Sequence, residues 1–476
     1  MSSQPWVVLK FGGNSVADLQ CWQTIAAITQ QHLDKQLRPL IVCSALGGIT
    51  NKLENLIDAA INGGHDKILQ DIIAAYGKLA GELSIDPQIY IKKEINELSQ
   101  IIVMLAQSRV LTPFIHAKVL SFGEILLTKL GAAYLQAKHF PTTWTDARTH
   151  LKSIEFTHSH AQSKYLAAVC DYQKDETVIK QFNAMTTPVV LTQGFIASNA
   201  RNETVLLGRG GSDTAAAYFA AKLMAQRCEI WTDVPGVYSA NPHEIPAARL
   251  IKSLDYDEAQ EIASMGGKVL HPYCIPPLKA NAIPMYVGYT RLPQRPGTEI
   301  HSAGRHEDAP IKSILTKHQV TLIQIETVQM WHQVGFLADI FSYFKKHGVS
   351  VDLISTSETT VTISLDLKVK GQDQNIITAL LADLNTFCKA TEIGSAAVIS
   401  IVGHNIRSVL YKIGAALKIF EGQKIYLVSQ AANNLNFSLA VDESQAKELA
   451  LKLHALLIEE NVNKKVFDKS WQEEFL

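Results

Sequence analysis

The stretch Trp6-Val-Val-Leu-Lys-Phe-Gly-Gly13 joins a short apolar run to a glycine pair. It predicts a buried strand over residues 6–11, and the segment that follows, 16–32, has the spacing of a helix. The same pattern returns at 40–45, LIVCSA, which again leads to two glycines, Gly47-Gly48. Short strands that alternate with longer helices predict an α/β fold with a mainly parallel sheet.

The rest of the first 300 residues continues this alternation. Residues 51–138 are mostly helical in pattern, and further strands are predicted at 189–192, 204–207 and 229–232. The polar stretch 291–310, which contains several Pro and Gly residues, predicts a linker.

Beyond this linker the pattern changes to short strands and short helices in two similar copies. Each copy has a helix, two strands and a second helix, predicted at 336–347, 349–351, 361–367 and 373–388, and at 406–417, 424–428, 435–441 and 443–460. This order predicts a duplicated β-α-β-β-α-β unit of the ferredoxin-like type.

Composition excludes several classes of protein. The chain has 476 residues, 47% hydrophobic and 19% charged, so extensive disorder is not expected and the length allows about three domains. Its 44 Lys and Arg nearly balance 45 Asp and Glu, without the basic excess of a nucleic-acid binder. No apolar run approaches the ~18 residues of a membrane span, and neither a signal peptide nor a Cys/His cluster occurs. We expect a cytoplasmic protein with free thiols that binds neither nucleic acid nor membrane.

The stretch Leu206-Leu-Gly-Arg-Gly-Gly-Ser-Asp-Thr214 leads from a predicted strand through a glycine-rich turn into a helix. The free N–H groups at such a helix start favour an anion, and Arg209 adds a bidentate partner for carboxylate or phosphate. Glycine-rich turns of this kind also occur without any ligand, so the stretch alone leaves both interpretations open.

Two named phosphate loops can be tested against this stretch. A Walker A loop does not occur in the chain. A dinucleotide fingerprint fits in part, because Gly208-x-Gly210 is present and Asp233 follows the next predicted strand, but Asp213 stands where that fingerprint needs Gly or Ala. An NAD-dependent dehydrogenase therefore remains an alternative.

Lys10 ends the first predicted strand beside two glycines, where its ammonium could reach a phosphate. Three strand-to-glycine loops at the carboxyl ends of strands would converge on one crevice, where open α/β sheets bind their ligands. Phosphoryl transfer needs charge compensation there, and Asp213 could orient donors or a metal. Glu124 is a candidate carboxylate for the ammonium of a zwitterionic acceptor, because the preceding Gly123 could let a ligand approach, and its alternative is a helix-surface acid.

From its start to about residue 460, the chain resembles the aspartate kinases of the amino-acid-kinase fold. The matching blocks are Lys10-Phe-Gly-Gly-Asn-Ser-Val16, Gly48-Ile-Thr-Asn51, Phe122-Gly-Glu124, Thr192-Gln-Gly-Phe195, Gly208-Arg-Gly-Gly-Ser-Asp213, Trp231-Thr-Asp-Val-Pro-Gly-Val-Tyr238 and Gly267-Lys-Val-Leu-His-Pro272. The resemblance implies transfer of the γ-phosphoryl group of MgATP to L-aspartate, which gives 4-phospho-L-aspartate for lysine, threonine and methionine synthesis. A non-catalytic amino-acid sensor with a decayed kinase domain is the other alternative.

The resemblance also implies roles for single residues. Lys10 and Asp213 would be catalytic, with Lys10 on the transferring phosphate. Mg²⁺ would arrive with ATP, and no protein side chain is assigned to it. The residues implied to hold aspartate are Thr50, Glu124, Arg209 and Ser212, and those implied to line the ATP site are Lys10, Gly12, Gly13, Thr232, Asp233, Tyr238, His243 and Lys268. The sequence departs from the family pattern in three places: Asn14 replaces a common Thr, His243 replaces a common Arg, and Gly266-Gly267 replaces a common Gly-Ala pair.

The duplicated C-terminal part resembles the tandem ACT domains of lysine-sensitive aspartate kinases. We expect lysine rather than threonine as the effector, bound at an ACT-mediated dimer or dimer of dimers, and the alternative is a dimerisation pair without effector. The implied effector residues are Met330, Gly335, Leu337, Val351, Asp352, Ser357 and Glu358. The implied domains are 1–300 for catalysis, 321–392 for a first ACT domain, 308–320 with 394–465 for the second that contains it, and a tail at 466–476. Residues 311–320 are thus expected to pair with residues after 394; the sequence does not indicate whether the tail is ordered.

Overall fold

The computed structural model describes residues 4–155, 161–303, 309–326, 334–365, 373–460 and 462–475. The chain forms two compact units. The first contains Met1–Val237, Lys252–Gln260 and Lys268–Gly304, and the second contains Tyr238–Ile251, Glu261–Gly267 and Arg305–Leu476.

The described strands, in chain order, are β1 (Trp6–Phe11), β2 (Arg38–Cys43), β3 (Thr142–Trp144), β4 (Ser153–Ile154), β5 (Val169–Cys170), β6 (Val189–Gln193), β7 (Ile196–Ser198), β8 (Thr204–Leu206), β9 (Arg227–Thr232), β10 (Arg249–Ile251), β11 (Ser253–Leu254), β12 (Met285–Tyr289), β13 (Thr298–Ile300), β14 (Ile311–Glu326), β15 (Ile354–Thr356), β16 (Thr360–Leu365), β17 (Lys389–Gly403), β18 (Ile425–Ser429), β19 (Asn436–Asp442) and β20 (Phe467–Ser470). The described α-helices are α1 (Leu19–Asp34), α2 (Ile49–Asn62), α3 (His65–Leu83), α4 (Pro87–Tyr90), α5 (Lys92–Ser108), α6 (Pro113–Ala137), α7 (Ala161–Leu166), α8 (Glu176–Ala184), α9 (Gly211–Leu223), α10 (Tyr256–Ser264), α11 (Ile275–Ala280), α12 (Phe336–Lys346), α13 (Asp373–Leu384), α14 (Leu410–Ala416), α15 (Glu443–His454) and α16 (Trp471–Phe475).

The first unit is built on an eight-stranded sheet in the order β11-β13-β12-β9-β1-β2-β6-β3. Its neighbouring strands are parallel except for β12 and β13. All six residues of β1 are buried, as is usual for a strand in the middle of a parallel sheet covered on both faces. The predicted α/β fold with a mainly parallel sheet is therefore confirmed.

Strand β1 has the limits that its sequence predicts, and its register brings its last residues between two other strands. Lys10 lies opposite Val42 of β2 and Ile230 of β9. The helix predicted from residue 16 begins later, at Leu19, because Asp18 caps it and accepts a hydrogen bond from the Cys21 backbone N–H at 2.8 Å.

The strand predicted at 204–207 is confirmed as β8, which among the described strands pairs with β7 as an antiparallel hairpin and does not join the main sheet. One prediction about this unit is wrong. The predicted linker 291–310 contains β13, which pairs with both β11 and β12. Both strands pair with a neighbour close in sequence, β8 with β7 and β13 with β12, through short connections that the sequence pattern did not identify as hairpins.

The helical region predicted at 51–138 is confirmed as α2 to α6. Helix α6 has 25 residues and is buried along most of its length, which positions Glu124 inside the unit. Among the described helices, none combines the length and the apolar character that a bilayer crossing requires.

The second unit contains a six-stranded antiparallel sheet in the order β15-β16-β14-β17-β19-β18. The long strands β14 and β17 run beside each other, with Ile311 opposite Gly403 and Val320 opposite Ala396. The expected pairing of 311–320 with residues after 394 is thus confirmed. The strand predicted at 349–351 is wrong; the edge strand is β15, a few residues later.

The C-terminal tail also forms regular structure in the second unit. Strand β20 pairs antiparallel with β10, and α16 follows it directly. The question that the sequence left open, whether 466–476 is ordered, is answered for the described residues up to Phe475.

Candidate active site

The site begins at the carboxyl end of β1, where Lys10 meets the first turn of α9. Lys10 Nζ lies 2.5 Å from Asp213 Oδ1, and the two side chains are only 10% and 11% exposed. A buried ion pair of this kind keeps each charge compensated while leaving further donors on the ammonium. The parallel register of β1 between β2 and β9 fixes where this lysine stands.

Two glycine loops pack against each other next to Lys10. A Cβ on Gly13 would lie 2.9 Å from the Ala45 carbonyl oxygen and 3.2 Å from Gly47 Cα, closer than side chains tolerate. Gly48 adopts φ 78° just before α2, a conformation that favours glycine. The glycines after β1 and β2 therefore let the two loops touch and leave their N–H groups beside the lysine.

The third loop, 208–211, reaches the same place from the β7–β8 hairpin. Gly210 has φ 66°, and a Cβ there would lie 2.1 Å from His271 Cγ. A Cβ on Gly194 would lie 2.6 Å from Ser212 Cβ. The start of α9 is therefore held between His271 and Gly194, and only glycine fits on either side.

The position of the loop 208–211 after the β7–β8 hairpin weakens the dinucleotide interpretation. In that fold the glycine loop follows a strand of the parallel sheet, and here it follows a hairpin strand. Asp213, the residue that breaks the fingerprint, is paired with Lys10 instead of packing a helix on a strand.

Glu124 is a buried carboxyl group with a raised pKa. It is 2% exposed, its Oε1 accepts a hydrogen bond from the Ala45 backbone N–H at 3.1 Å, and its Oε2 has no hydrogen-bond partner among the described residues. Burial raises the pKa of Glu124 to about 8, against the hydrogen bond from Ala45 that lowers it. The surface-acid alternative for this residue is wrong; it is a buried carboxylate with an unused oxygen.

Gly123 has a different role from the one its sequence suggests. A Cβ at Gly123 would lie 2.8 Å from Ala45 Cβ and 3.5 Å from Leu53 Cδ1. The missing side chain therefore lets α6 approach the loop after β2, and it does not open a path for a ligand.

These elements enclose a cavity of about 590 Å³. Seven of the sequence-derived candidates line it together: Lys10, Gly13, Thr50, Glu124, Arg209, Ser212 and Asp213. Arg209 is exposed and has no ion pair in the part of the chain that the structure describes. The cavity thus brings two buried carboxylates, Glu124 and Asp213, together with two cations and the three glycine loops.

Sequence reasoning missed one wall of this cavity. His116, Leu120 and Glu124 follow each other at intervals of four on α6 and line it together, and His116 Nε2 lies 2.7 Å from Glu54 Oε2 on α2. The four-residue spacing back from Glu124 is the signal that could have found His116. Phe195, after Gly194, also lines the cavity.

The candidates for an ATP site divide between the two units. In the first, Gly12 donates its N–H to the Trp231 carbonyl at 3.2 Å, and Asn14 Nδ2 donates to Asp233 Oδ2 at 2.9 Å. The adjacent Thr232 hydroxyl lies 3.2 Å from Asp233 Oδ1.

Three further ATP candidates lie elsewhere. Lys268, in the first unit, is exposed and forms no ion pair within the described ranges. Tyr238 and His243 belong to the second unit, where Tyr238 is buried and His243 is exposed.

Most of the effector candidates lie at the surface of the second unit. Gly335 precedes α12 with φ 91°, and Leu337, Ser357 and Glu358 are exposed. Val351 is half-buried, and Asp352 Oδ2 lies 2.5 Å from Lys317 Nζ. Met330 lies outside the described residues.

Comparison with known proteins identifies the family. The model of the amino acid kinase family matches residues 5–289. The chain is 31% identical over 459 residues to the lysine-sensitive aspartokinase 3 of Escherichia coli, covering 95% of this chain and 99% of that protein. It is 30% identical over 475 residues to the chloroplastic aspartokinase 2 of Arabidopsis thaliana, covering 95% of this chain and 84% of that protein. The chain belongs to the amino acid kinase family, among the aspartokinases.

Solved aspartokinase structures resemble the whole chain. The E. coli aspartokinase III complex with aspartate and ADP, called the R-state, matches with a TM-score of 0.79 and 29% identity, over 95% of this chain and 99% of that one. The complex of the same enzyme with lysine and aspartate, called the T-state, matches over the same shares with a TM-score of 0.71. The match spans both the kinase part and the C-terminal antiparallel sheet of this aspartokinase-family chain.

Proposed function

We propose that this chain is an aspartate kinase that transfers the γ-phosphoryl group of MgATP to the side-chain carboxylate of L-aspartate. A carboxylate oxygen of aspartate attacks the γ-phosphorus, and the bond from that phosphorus to the β,γ-bridging oxygen breaks. The products are 4-phospho-L-aspartate and ADP, at the first step toward lysine, threonine and methionine. Six free cysteines, five of them buried, suit the reducing cytoplasm.

The observation that carries this proposal is the unused oxygen of buried Glu124. A carboxylate that is 2% exposed and half without partners is costly unless a cation occupies its free side. The α-ammonium of aspartate supplies that cation. Arg209, at the same cavity, offers a guanidinium for the α-carboxylate, and Thr50 and Ser212 offer hydroxyl donors.

Lys10 carries the electrostatic part of catalysis. Charge on the transferring phosphoryl oxygens is stabilised by a fixed cation in a site that excludes water. Asp213, 2.5 Å from the ammonium, restricts where Lys10 can point and acts as the orienting residue. Gly13, in the glycine loop after β1, lines the same cavity, and Gly12 holds this loop through the hydrogen bond from its N–H to the Trp231 carbonyl.

The remaining residues that the family resemblance implies for the nucleotide are proposed as its ligands; they are Thr232, Asp233, Tyr238, His243 and Lys268. When bound with ATP, Mg²⁺ would neutralise charge on the phosphates. Such ions take one or two carboxylates together with substrate phosphates, and Asp213 and Glu54 are the carboxylates of this cavity other than Glu124 that would hold the ion.

The test is a coupled assay of ADP release with L-aspartate varied at saturating MgATP. Arg209→Ala is expected to raise KM for aspartate by roughly 10- to 100-fold, because a charged hydrogen bond to the α-carboxylate is lost. Arg201→Ala is the matched control, since this exposed arginine pairs with Glu203 at 3.2 Å on the β7–β8 hairpin. No aspartate-dependent ADP release by the unmodified chain, or equal KM values for both variants, would sink the proposal.

For the second unit we propose regulation by lysine through two ACT domains. The first, 321–392, is inserted in the second, which consists of 308–320 and 394–465, and the kinase part is 1–300. The ACT domains also join copies of the chain into dimers or dimers of dimers. The interleaved strands β14 and β17 support the insertion. The effector residues are Met330, Gly335, Leu337, Val351, Asp352, Ser357 and Glu358, with Asp352 or Glu358 on the effector ammonium. Because Lys317 already pairs with Asp352, an incoming lysine must compete with this internal cation.

Separate titrations with lysine and threonine test this regulation. We expect inhibition at millimolar lysine and a much weaker effect of threonine. Asp352→Asn is expected to raise the lysine concentration for half inhibition, and Asp383→Asn, a carboxylate paired with Lys346 at 2.7 Å in the same unit, is the control. An unchanged rate at millimolar lysine would remove the lysine assignment without touching the kinase proposal.

A further inference from the structure

The C-terminal tail is joined to residues 238–251 through backbone hydrogen bonds. Strand β20 pairs with β10, with Arg249 opposite Ser470 and Ile251 opposite Phe467. Just beyond the strand, the Trp471 N–H donates to the Ala248 carbonyl at 2.8 Å. The tail therefore follows this segment as an added strand and turn, not as a loosely attached end.

Side chains extend the contact to the two second-unit residues assigned to the nucleotide. The Trp471 ring centroid lies 5.6 Å from that of Tyr238 and 5.7 Å from that of His243, both in edge-on arrangements. The Phe475 ring centroid lies 4.2 Å from that of Trp471. The Tyr238 hydroxyl donates to Glu474 Oε2 at 3.4 Å.

Charged groups fix the same tail on the segment. Arg249 Nη1 donates to the Asp468 carbonyl at 3.2 Å and lies 3.5 Å from Glu473 Oε2. That same Glu473 oxygen accepts the Ser470 N–H at 2.7 Å, which fixes the start of α16. Two backbone contacts, an aromatic cluster and an ion pair thus converge on one segment of 14 residues, Tyr238–Ile251.

We infer that the tail 466–475 is a part of the nucleotide-binding machinery, with Trp471 as the positioning residue that holds Tyr238 and His243 for ATP. This rests on the proposed assignment of those two residues to the nucleotide. His243 is exposed on a loop, and a loop that must be ordered by its ligand loses affinity to conformational entropy. A tail that orders the loop beforehand removes that loss.

The test measures KM for ATP and KM for aspartate on full-length variants. Trp471→Ala is expected to raise KM for ATP roughly three- to tenfold, the range of an aromatic contact, and to leave KM for aspartate unchanged. Trp471→Phe retains an aromatic ring and is expected to restore most of the ATP affinity. Lys452→Ala is the matched control and should behave as the unmodified chain, because this exposed lysine of α15 lies outside the tail and pairs with Glu448, at 2.6 Å.

Each outcome decides the inference. Equal effects on both KM values would mean a general loss of structure, and a lower KM for ATP in Trp471→Ala would make the tail an inhibitory cover; either result overturns it. Should Trp471→Ala fail to fold, Glu473→Ala carries the test, with a smaller rise in KM for ATP expected and no rise counting against the inference.

One further variant separates this inference from the assignment beneath it. His243→Ala removes one of the two side chains that Trp471 is inferred to hold for ATP. If His243→Ala weakens ATP binding and Trp471→Ala does not, the tail inference alone fails. If neither variant changes KM for ATP, the assignment of the nucleotide to this segment fails, and the tail inference falls with it.

Discussion

Lys10 Nζ lies 2.5 Å from Asp213 Oδ1, at the point where the central strand β1 meets the start of helix α9. The two residues are 203 positions apart in the chain, and both are among the few charged side chains buried in the first unit. An ion pair at this depth is weak evidence for stability, because desolvation offsets much of its attraction. Its position against three glycine loops supports the phosphate-binding role proposed for Lys10.

Lys10→Met is expected to lower kcat by roughly 10²- to 10³-fold, the usual loss when one fixed charge at a reacting oxygen is removed. Lys129→Met is the matched control, because this lysine also pairs with a carboxylate, Glu94, at 2.6 Å, but does not line the cavity. Steady-state ADP release measures both. A kcat within threefold of the unmodified chain for Lys10→Met would contradict the catalytic role.

Glu124 links aspartate binding to pH. Burial raises the pKa of Glu124 to about 8 in the empty site, so at pH 7 most molecules hold a proton that an incoming ammonium must displace. We therefore expect KM for aspartate to fall as pH rises from 6.5 toward 8 and then to level off. Glu124→Gln, which cannot ionise, is expected to raise KM throughout and to abolish this dependence; a parallel slope in the variant would refute the link.

The first strand and its lysine could be predicted from sequence because the information is local. The run Trp6–Phe11 is apolar except for Lys10 and stops at Gly12, which fixes the strand limits and the end at which Lys10 stands. The same holds for Asp213, which lies in the first turn of a helix, two residues after a glycine pair.

Other features depend on partners that the local sequence does not specify. Residues 204–206 have the composition of a strand, but only the structure shows that they pair with β7 and not with the main sheet. The contact of His116 with Glu54 joins two helices. Trp471 contacts Tyr238, although most of the second half of the sequence lies between them. Such contacts follow from tertiary packing, which overrides any local pattern.

Glu124 should also cost stability in the absence of substrate. An ordinary Glu has a pKa near 4.5, so between this value and about 8 the folded chain holds a proton that the unfolded chain releases. The stability contributed by this group therefore falls as pH rises through that range. Glu124→Gln is expected to melt at a higher temperature than the unmodified chain at pH 8, with a smaller difference at pH 5.

Calorimetry or a dye-based melting assay without aspartate measures this difference. Glu94→Gln is the matched control with the opposite sign, because it removes the carboxylate that pairs with Lys129 and should lower the melting temperature. A Glu124→Gln variant that is less stable than the unmodified chain at pH 8 would mean that the carboxylate is satisfied without substrate.

His318 gives the second unit its own dependence on pH. Its Nδ1 lies 2.7 Å from Glu443 Oε1 and its Nε2 lies 3.0 Å from Glu244 Oε2, so both ring nitrogens face carboxylates. Burial opposes the charge, but the hydrogen bonds to Glu244 and Glu443 outweigh it and raise the pKa of His318 above its usual 6.5. The stabilisation is complete below the pKa of the unfolded state, near 6.5, and is lost as pH rises through the higher pKa of the folded state.

We expect His318→Gln to lower the melting temperature most at pH 6 and progressively less toward pH 9. His318→Arg, which keeps a cation between the two carboxylates at every pH, is expected to remove this dependence, and a melting difference for His318→Gln that grows with pH would reverse the assignment.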